Sequence, residues 1–543
     1  MKIARFSAIL KVSFQHLNLH QHFEEIALVN PQLGLEFKLR LMIIAVTWTM
    51  DTAINRCKRD SVPLKRQLGY LEVMYHYCNQ EGSDLLTSVV HLSAAYKPSI
   101  NQIVEALLCL AKRHPLLRMT IQQDPKTPGT YYFEEMDALQ VDFKEEQISP
   151  RDFLDIGATT GYRMSEGPLW RCRLIGWHSS YSTNVSEISK KEQAADQPKH
   201  PIFGFSWHHG IVDGIYFRWV VEEFMLFLER TKYGLVHKSV QSLSLYPPLD
   251  RVISESIASR VPVEVFGVTC VTGNQIKASD NSLLMSALDA YVSTFANEIQ
   301  SLEKREPKSR TLMRTFNESR TRTFISRCKD MNILLSGALM AASCCAFARL
   351  VERSVPSQCE LELTAEILIN MRRYLPKDTQ SQMGDIPYPG TGAFAATENV
   401  TVKPLREVCP SNEFWKLAKM WSERIKVNLK SHQYLKQMIS EMTNSITNSP
   451  LQKGKAQGVV CLSNVGSLDL VLKTESSKDF RLIDMCGTSS VLIDDSPIFF
   501  LTCSTCSGKM TTCLTFCENY TTKATASRYL GYVESCIDSV SKL

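Results

Sequence analysis

The sequence predicts an α/β protein built from layered sheets and helices. Three observations carry that expectation. From about residue 65 strand-like and helix-like segments alternate along the chain. One short apolar run, Ile202-Phe203-Gly204-Phe205-Ser206-Trp207, passes directly into an amphipathic helical pattern over residues 215–230. Finally, 44% hydrophobic against 22% charged residues in 543 supplies enough apolar side chain for a large buried core.

Taken in order, residues 41–50 are apolar but only about half the length that a bilayer crossing needs, and they lie too deep for a secretory signal. No transmembrane segment is expected. Residues 1–64 read as an N-terminal extension, which a flexible arm, a weak targeting segment or a gene-model artefact with a start at Met42 or Met50 would each explain. After Pro98, Ser99-Ile100-Asn101-Gln102 has the form of a capping box, in which the side chains of Ser99 and Gln102 each satisfy a free backbone N–H. It opens a helix through Lys112 with Ile103, Leu107, Leu110 and Ala111 inward. Between Trp177 and Pro201 the chain is polar and aperiodic, the pattern of a surface insertion joining two strands. The run 202–207 then reads as a strand buried on both faces. In the helix that follows, Trp219, Val220, Phe224, Phe227 and Leu228 form the apolar stripe, with Glu222, Glu223 and Glu229 offset from it.

Residues 246–281, containing Pro247-Pro248, are irregular and read as a crossover, and the second half resumes near Leu283. Residues 333–350, including Cys344-Cys345, are apolar nearly all round, as a helix inside a core would be. Trp415, Leu417, Ala418, Trp421 and Ile425 share helical spacing and read as core. Residues 499–516 read as two strands around Ser507-Gly508-Lys509. The expected divisions are 1–64, 65–250, 251–282 and 283–543.

Charge and cysteine content narrow the partners. A net charge of +5 without a long Lys/Arg tract argues against nucleic acid, although it would favour an anionic ligand weakly. Among the 17 cysteines, Cys503-Ser504-Thr505-Cys506 with Cys513 and Cys517 has a spacing loosely like that of a zinc site, but a hairpin with small half-buried side chains accounts for it, so no metal is expected. Thiols in this number suggest a reducing compartment, the cytoplasm, where the sequons at Asn184 and Asn399 would carry little weight.

The strand-to-helix turn holds the chemistry: His208-His209-Gly210-Ile211-Val212-Asp213-Gly214. An imidazole with an ordinary pKa of about 6.5 can take a proton from an alcohol or amine as that group attacks a thioester, and His209, the second of the pair, is read as this general base. The oxyanion formed would need donors, for which backbone N–H groups and hydroxyls are the candidates. Asp213 reads as a structural anion paired with an arginine. Gly210 and Gly214 read as places where the backbone turns tightly and a substrate comes close.

These residues resemble the chloramphenicol acetyltransferase-like superfamily, which includes condensation domains and alcohol O-acetyltransferases, and other segments from about 65 to 540 carry the likeness too. Arg113-His114-Pro115-Leu116-Leu117-Arg118 is similar to the end of the first long helix of condensation domains, and Gly167-Pro168-Leu169-Trp170-Arg171 to the family's Gly-Pro-Leu stretch. Ile369-Asn370-Met371-Arg372-Arg373 resembles the strand whose arginine pairs with the motif aspartate, a role carried onto Arg372. Cys461-Leu462-Ser463-Asn464-Val465-Gly466 is similar to the stretch that lines the tunnel in alcohol acetyltransferases, which implicates Ser463 and Asn464. The Asp-Phe-Gly-Trp-Gly motif of plant members is absent, and Gly466-Ser467-Leu468 lacks the aspartate that precedes a carrier-protein serine.

The resemblance implies two lobes, 65–250 and 283–543, with mixed sheets and flanking helices around a central tunnel, His209 at its middle and His208, Asp213, Gly214 and Arg372 in support. It implies an acyltransferase without a tightly bound cofactor, taking acyl-CoA, acetyl-CoA first, as co-substrate and a small alcohol as acceptor, with no covalent acyl-enzyme. N-acyl transfer to an amine and a non-catalytic binding protein of the same fold are the alternatives, and the oligomeric state is left open.

Overall fold

A computed structural model describes residues 57–58, 63–178, 200–258, 283–302, 305–356, 358–383, 386–403, 411–447, 458–469, 477–492 and 496–541. The expected insertion after Trp177, most of the crossover and residues 41–50 lie outside the described residues. The chain divides into two compact units. The small one is Met1–Arg59 with Ala138–Gln140, in which Cys57–Lys58 pairs antiparallel with Ala138–Leu139. The large one, Asp60–Asp137 with Val141–Leu543, contains everything that follows.

The apolar run before the motif forms the strand His200–His208, buried along nearly all its length. Aromatic side chains fill its surroundings: Trp207 stacks on Phe205 and on Trp170 of the neighbouring strand, with centroids 5.4 and 5.3 Å apart. The glycine in this run is required by packing, because a Cβ on Gly204 would lie 2.5 Å from the Phe153 ring. The strand is the middle of a five-stranded sheet in the order Phe480–Ser489, Leu85–Ala94, His200–His208, Trp170–His178 and Phe143–Glu145. Neighbours are antiparallel except the last pair, which is parallel. Its outermost strand, Phe480–Ser489, comes from the second half of the chain.

A seven-stranded mixed sheet follows from the second half, in the order Leu283–Ser286, Cys359–Asn370, Val460–Ser467, Phe499–Cys506, Lys509–Cys517 and Ser309–Phe316, with Ala393–Val402 also paired to Cys359–Asn370. Burial alternates residue by residue along Cys359–Asn370, as expected of a strand with one face on a core. Lys65–Gln67, Tyr131–Glu135 and Met119–Gln123 make a separate three-stranded sheet.

Helix Leu335–Leu350, the expected all-apolar helix, is buried and packs on Ser411–Lys430 and Lys523–Ser541. Close approach is set by Gly337, where a Cβ would lie 2.9 Å from the Ala418 carbonyl oxygen. At its start the Leu334 N–H donates to Ser422 Oγ (2.9 Å), so one free donor of the helix end is satisfied by the helix it packs against. Trp421 and Ala418 are fully buried, as their spacing predicts. Among the described residues no single helix is long and apolar enough to cross a membrane.

The first long helix spans Ile100–Arg113, capped by the Ser99/Gln102 box. It packs on helix Gly214–Thr231. Glu222 and Glu223, offset from the apolar stripe in the sequence pattern, are nevertheless buried. Glu223 pairs with Arg113 (3.2 Å) and with His114 (2.6 Å), and His114 Nδ1 shares a hydrogen bond with Tyr216 OH (2.7 Å). Helix Leu249–Ala258 lies in the region expected to be irregular and spans the expected 250/251 boundary. Leu249 and Ile253, one helical turn apart, are its buried face, too short a pattern to stand out beside Pro247-Pro248. The segment 499–516 is the hairpin Phe499–Cys506 and Lys509–Cys517, with its cysteines buried and in no disulfide.

Candidate active site

The motif occupies the turn between strand His200–His208 and helix Gly214–Thr231. Asp213 is the helix N-cap: Oδ1 accepts from the Tyr216 N–H (2.9 Å). Its Oδ2 accepts from Arg372 Nη1 (2.6 Å) and from the Gly392 N–H (2.8 Å). Arg372 also donates from Nε to the carbonyl of Tyr388 (2.7 Å) and from Nη2 to that of Gly390 (2.6 Å), so each nitrogen of the buried guanidinium has a partner. Burial alone would raise the Asp213 pKa, but the Arg372 guanidinium and the backbone donors outweigh it and hold the carboxylate below its ordinary value. Gly392 leaves the guanidinium its place, since a Cβ there would lie 2.6 Å from Arg372 Nη1.

The two histidines have different surroundings. His208 is wholly buried, and its Nδ1 accepts from the Gly210 N–H (3.0 Å). Burial, together with the neighbouring His76 and His209, holds its pKa well below the ordinary 6.5, so it is a neutral brace of the turn. His209 lies with its imidazole stacked face to face on Tyr75, centroids 4.1 Å apart and planes within 4°. Tyr75 is itself fixed through its hydroxyl, which donates to the Ala393 carbonyl (3.1 Å). The Nδ1 of His209 is buried with no hydrogen-bond partner, and the residue borders a cavity of ≈ 70 Å³.

That cavity is walled by strands of both large sheets, including Leu86, Ser463, Met485, Ser489 and Thr502. Two of its hydroxyls, Ser489 Oγ and Thr502 Oγ1, are buried without a partner. A buried donor left unpaired costs about 1–3 kcal/mol, so each is suited to meet an oxygen of something bound there. Of the Ser-Asn pair singled out in the sequence, Ser463 borders the cavity. Asn464 is instead engaged at a bulge, donating to Ser336 Oγ (2.9 Å) and accepting from the Gly466 N–H (3.1 Å).

The motif glycines serve packing. Neither has a left-handed backbone; a Cβ on Gly210 would lie 3.0 Å from the His208 ring, and one on Gly214 would lie 3.2 Å from Val465 Cγ1. Gly214 does border the cavity, so its missing side chain also leaves room there. Tyr75, Ser489 and Thr502 carry no sequence signal of their own; they join the site only because the sheets bring their strands and helix together. Among the described residues no cluster of His, Cys, Asp and Glu is placed to hold a metal ion.

A family model for alcohol acetyltransferases matches residues 196–535. Comparison with curated proteins gives no match. Solved structures of similar fold include polyketide synthase associated protein 5 from Mycobacterium tuberculosis (TM-score 0.53, 12% identity, covering 88% of this chain and 98% of that one). Another is TRI3 trichothecene 15-O-acetyltransferase from Fusarium sporotrichioides (TM-score 0.58, 11% identity, 89% and 98%). The first condensation domain of the CDA synthetase is a third (TM-score 0.55, 10% identity, 88% and 97%). At these identities the likeness is one of fold.

Proposed function

The chain belongs to the alcohol acetyltransferase family and is an acyltransferase; from that premise we propose that it moves an acyl group from acyl-CoA to a small alcohol with His209 as general base. The observation that carries the proposal is the placement of His209: a single imidazole, clamped on Tyr75, at the wall of a cavity that also presents unpartnered hydroxyls. The acceptor hydroxyl gives its proton to His209 as its oxygen attacks the thioester carbonyl. The carbon–sulfur bond then breaks, and the leaving thiolate takes the proton back from the imidazolium. Nothing in this sequence requires a covalent acyl-enzyme.

In this scheme Ser489 and Thr502 donate to the oxyanion, a contribution worth about 10²–10³ in kcat per donor where such groups have been removed. Holding both reactants beside one base supplies much of the remaining rate. His208, Asp213, Gly214 and Arg372 keep the turn that presents His209. Buried cysteines that form no disulfide among the described residues favour a reducing compartment, and we place the protein in the cytoplasm.

The test is to incubate the purified protein with a panel of acyl-CoAs and alcohols or amines, following release of free CoA by thiol detection, beside the His209→Ala variant. Release with alcohols that vanishes in the variant is expected. Release with amines alone would replace the acceptor by an amine; no release above the variant with any pair would favour a binding protein of this fold, and full turnover by the variant would remove His209 as the base.

A further inference from the structure

We propose that Asp84, outside the motif, is the counter-charge of His209: a positioning carboxylate that stabilises the imidazolium formed when the acceptor gives up its proton. The inference deepens, and rests on, the reading of His209 as base.

Register places the two together. Leu85 is paired with His208 across the antiparallel strands Leu85–Ala94 and His200–His208, so Asp84 stands beside His209 where the strands part. Asp84 has a left-handed backbone (φ 54°), a conformation that Asp and Asn tolerate better than other non-glycine residues. It is held there from both sides: its N–H donates to the Ser490 carbonyl (3.0 Å), and its own carbonyl accepts from Asn79 Nδ2 (3.1 Å). Burial pushes the Asp84 carboxyl up from its ordinary value, while a charge on His209 and the Cys78 thiol draw it back down. A charge on His209 thus favours the ionised form of Asp84.

The other groups around the pair do not replace it. Asp213 is committed to Arg372 at 2.6 Å. His208 is held neutral by its burial. From helix Tyr70–Gln80, the Tyr75 phenol is pushed well above its ordinary value by burial and by Asp84, and so stays uncharged against the imidazole. On the facing strand, burial and the carboxylates of Glu366 and Asp84 likewise push the Cys461 thiol well up. Asp84 is thus placed to answer a positive charge on His209, whose Nδ1 is buried without a hydrogen-bond partner. An imidazolium in such a place is costly unless a negative charge meets it.

The experiment is a pH titration of the full-length protein labelled at histidine Cε1 with carbon-13, the His209 resonance being assigned by its loss in His209→Ala. Asp84→Asn suits the left-handed backbone, and Asp84→Glu retains the charge. The His209 midpoint is expected to fall by about 1–2 pH units in Asp84→Asn, the usual effect of removing an opposite charge at close range, and to recover largely in Asp84→Glu. An unchanged or raised midpoint in Asp84→Asn would overturn the proposal, as would a fall that Asp84→Glu reproduces in full. Turnover by His209→Ala, by contrast, would sink the base assignment whatever the titration gives.

Discussion

Replacing Arg372 with alanine removes three contacts at once. Asp213 loses its guanidinium partner at 2.6 Å and keeps only the N–H groups of Gly392 and Tyr216, while the carbonyls of Tyr388 and Gly390 lose their donor. Asp213 is 2% exposed, so water cannot take over without the turn opening. Breaking a buried pair by deleting one member costs about 3–5 kcal/mol. An unfolding entropy of about 2.1 cal/mol/K per residue makes roughly 1.1 kcal/mol/K for a chain of this length, which converts the loss to a Tm fall of about 3–5 °C if the protein unfolds as one unit. Differential scanning calorimetry of Arg372→Ala, Asp213→Asn and the double variant measures it. The double variant should be more stable than the sum of the single losses by at least about 1 kcal/mol, because removing the charge spares it from being orphaned. A Tm within about 1 °C of the parent for Arg372→Ala, or additive losses, would refute the reasoning.

Two further outcomes follow from the same geometry. Because Asp213 titrates below its unfolded value, its contribution is complete above the ordinary carboxylate pKa of about 4 and is lost as pH falls through the depressed folded value, so the Tm gap between parent and Asp213→Asn should be widest near neutrality and close in acid; a gap independent of pH would show that the charge has no part in it. Thr502→Val and Ser489→Ala should each lower kcat by about 10²–10³ with KM little changed, measured with the acyl-CoA and alcohol found to react, and unaltered kcat in both would remove these hydroxyls from the oxyanion site.

The long, strongly patterned elements were legible in the sequence. The capping box at Ser99, the buried strand before the motif and the all-apolar helix at Leu335–Leu350 each arise from local periodicity that packing then preserves. The Arg372 partnership with Asp213 was reached through resemblance, and the structure sets the two 2.6 Å apart. What could not be read was set by tertiary contact. Glu223 sits inside because His114 and Arg113 meet it there, which no helical wheel encodes. Tyr75 stacks on His209, and Asp84 precedes the strand residue paired with His208, because a helix and a strand end converge across the chain, and nothing in their own neighbourhoods marks them. Gly210 reads in the sequence as a place where the backbone turns tightly and a substrate comes close, whereas in the structure its missing Cβ leaves room for the ring two residues before it.

The strand Phe480–Ser489 closes one edge of the five-stranded sheet by pairing with Leu85–Ala94, and it supplies Met485 to Ser489 to the cavity wall. On the ribosome, therefore, the early part of this protein waits with an unsatisfied strand edge until almost the whole polypeptide has emerged. A product terminated anywhere before that strand should be sticky rather than partly active, and neither half expressed by itself should yield a working fragment.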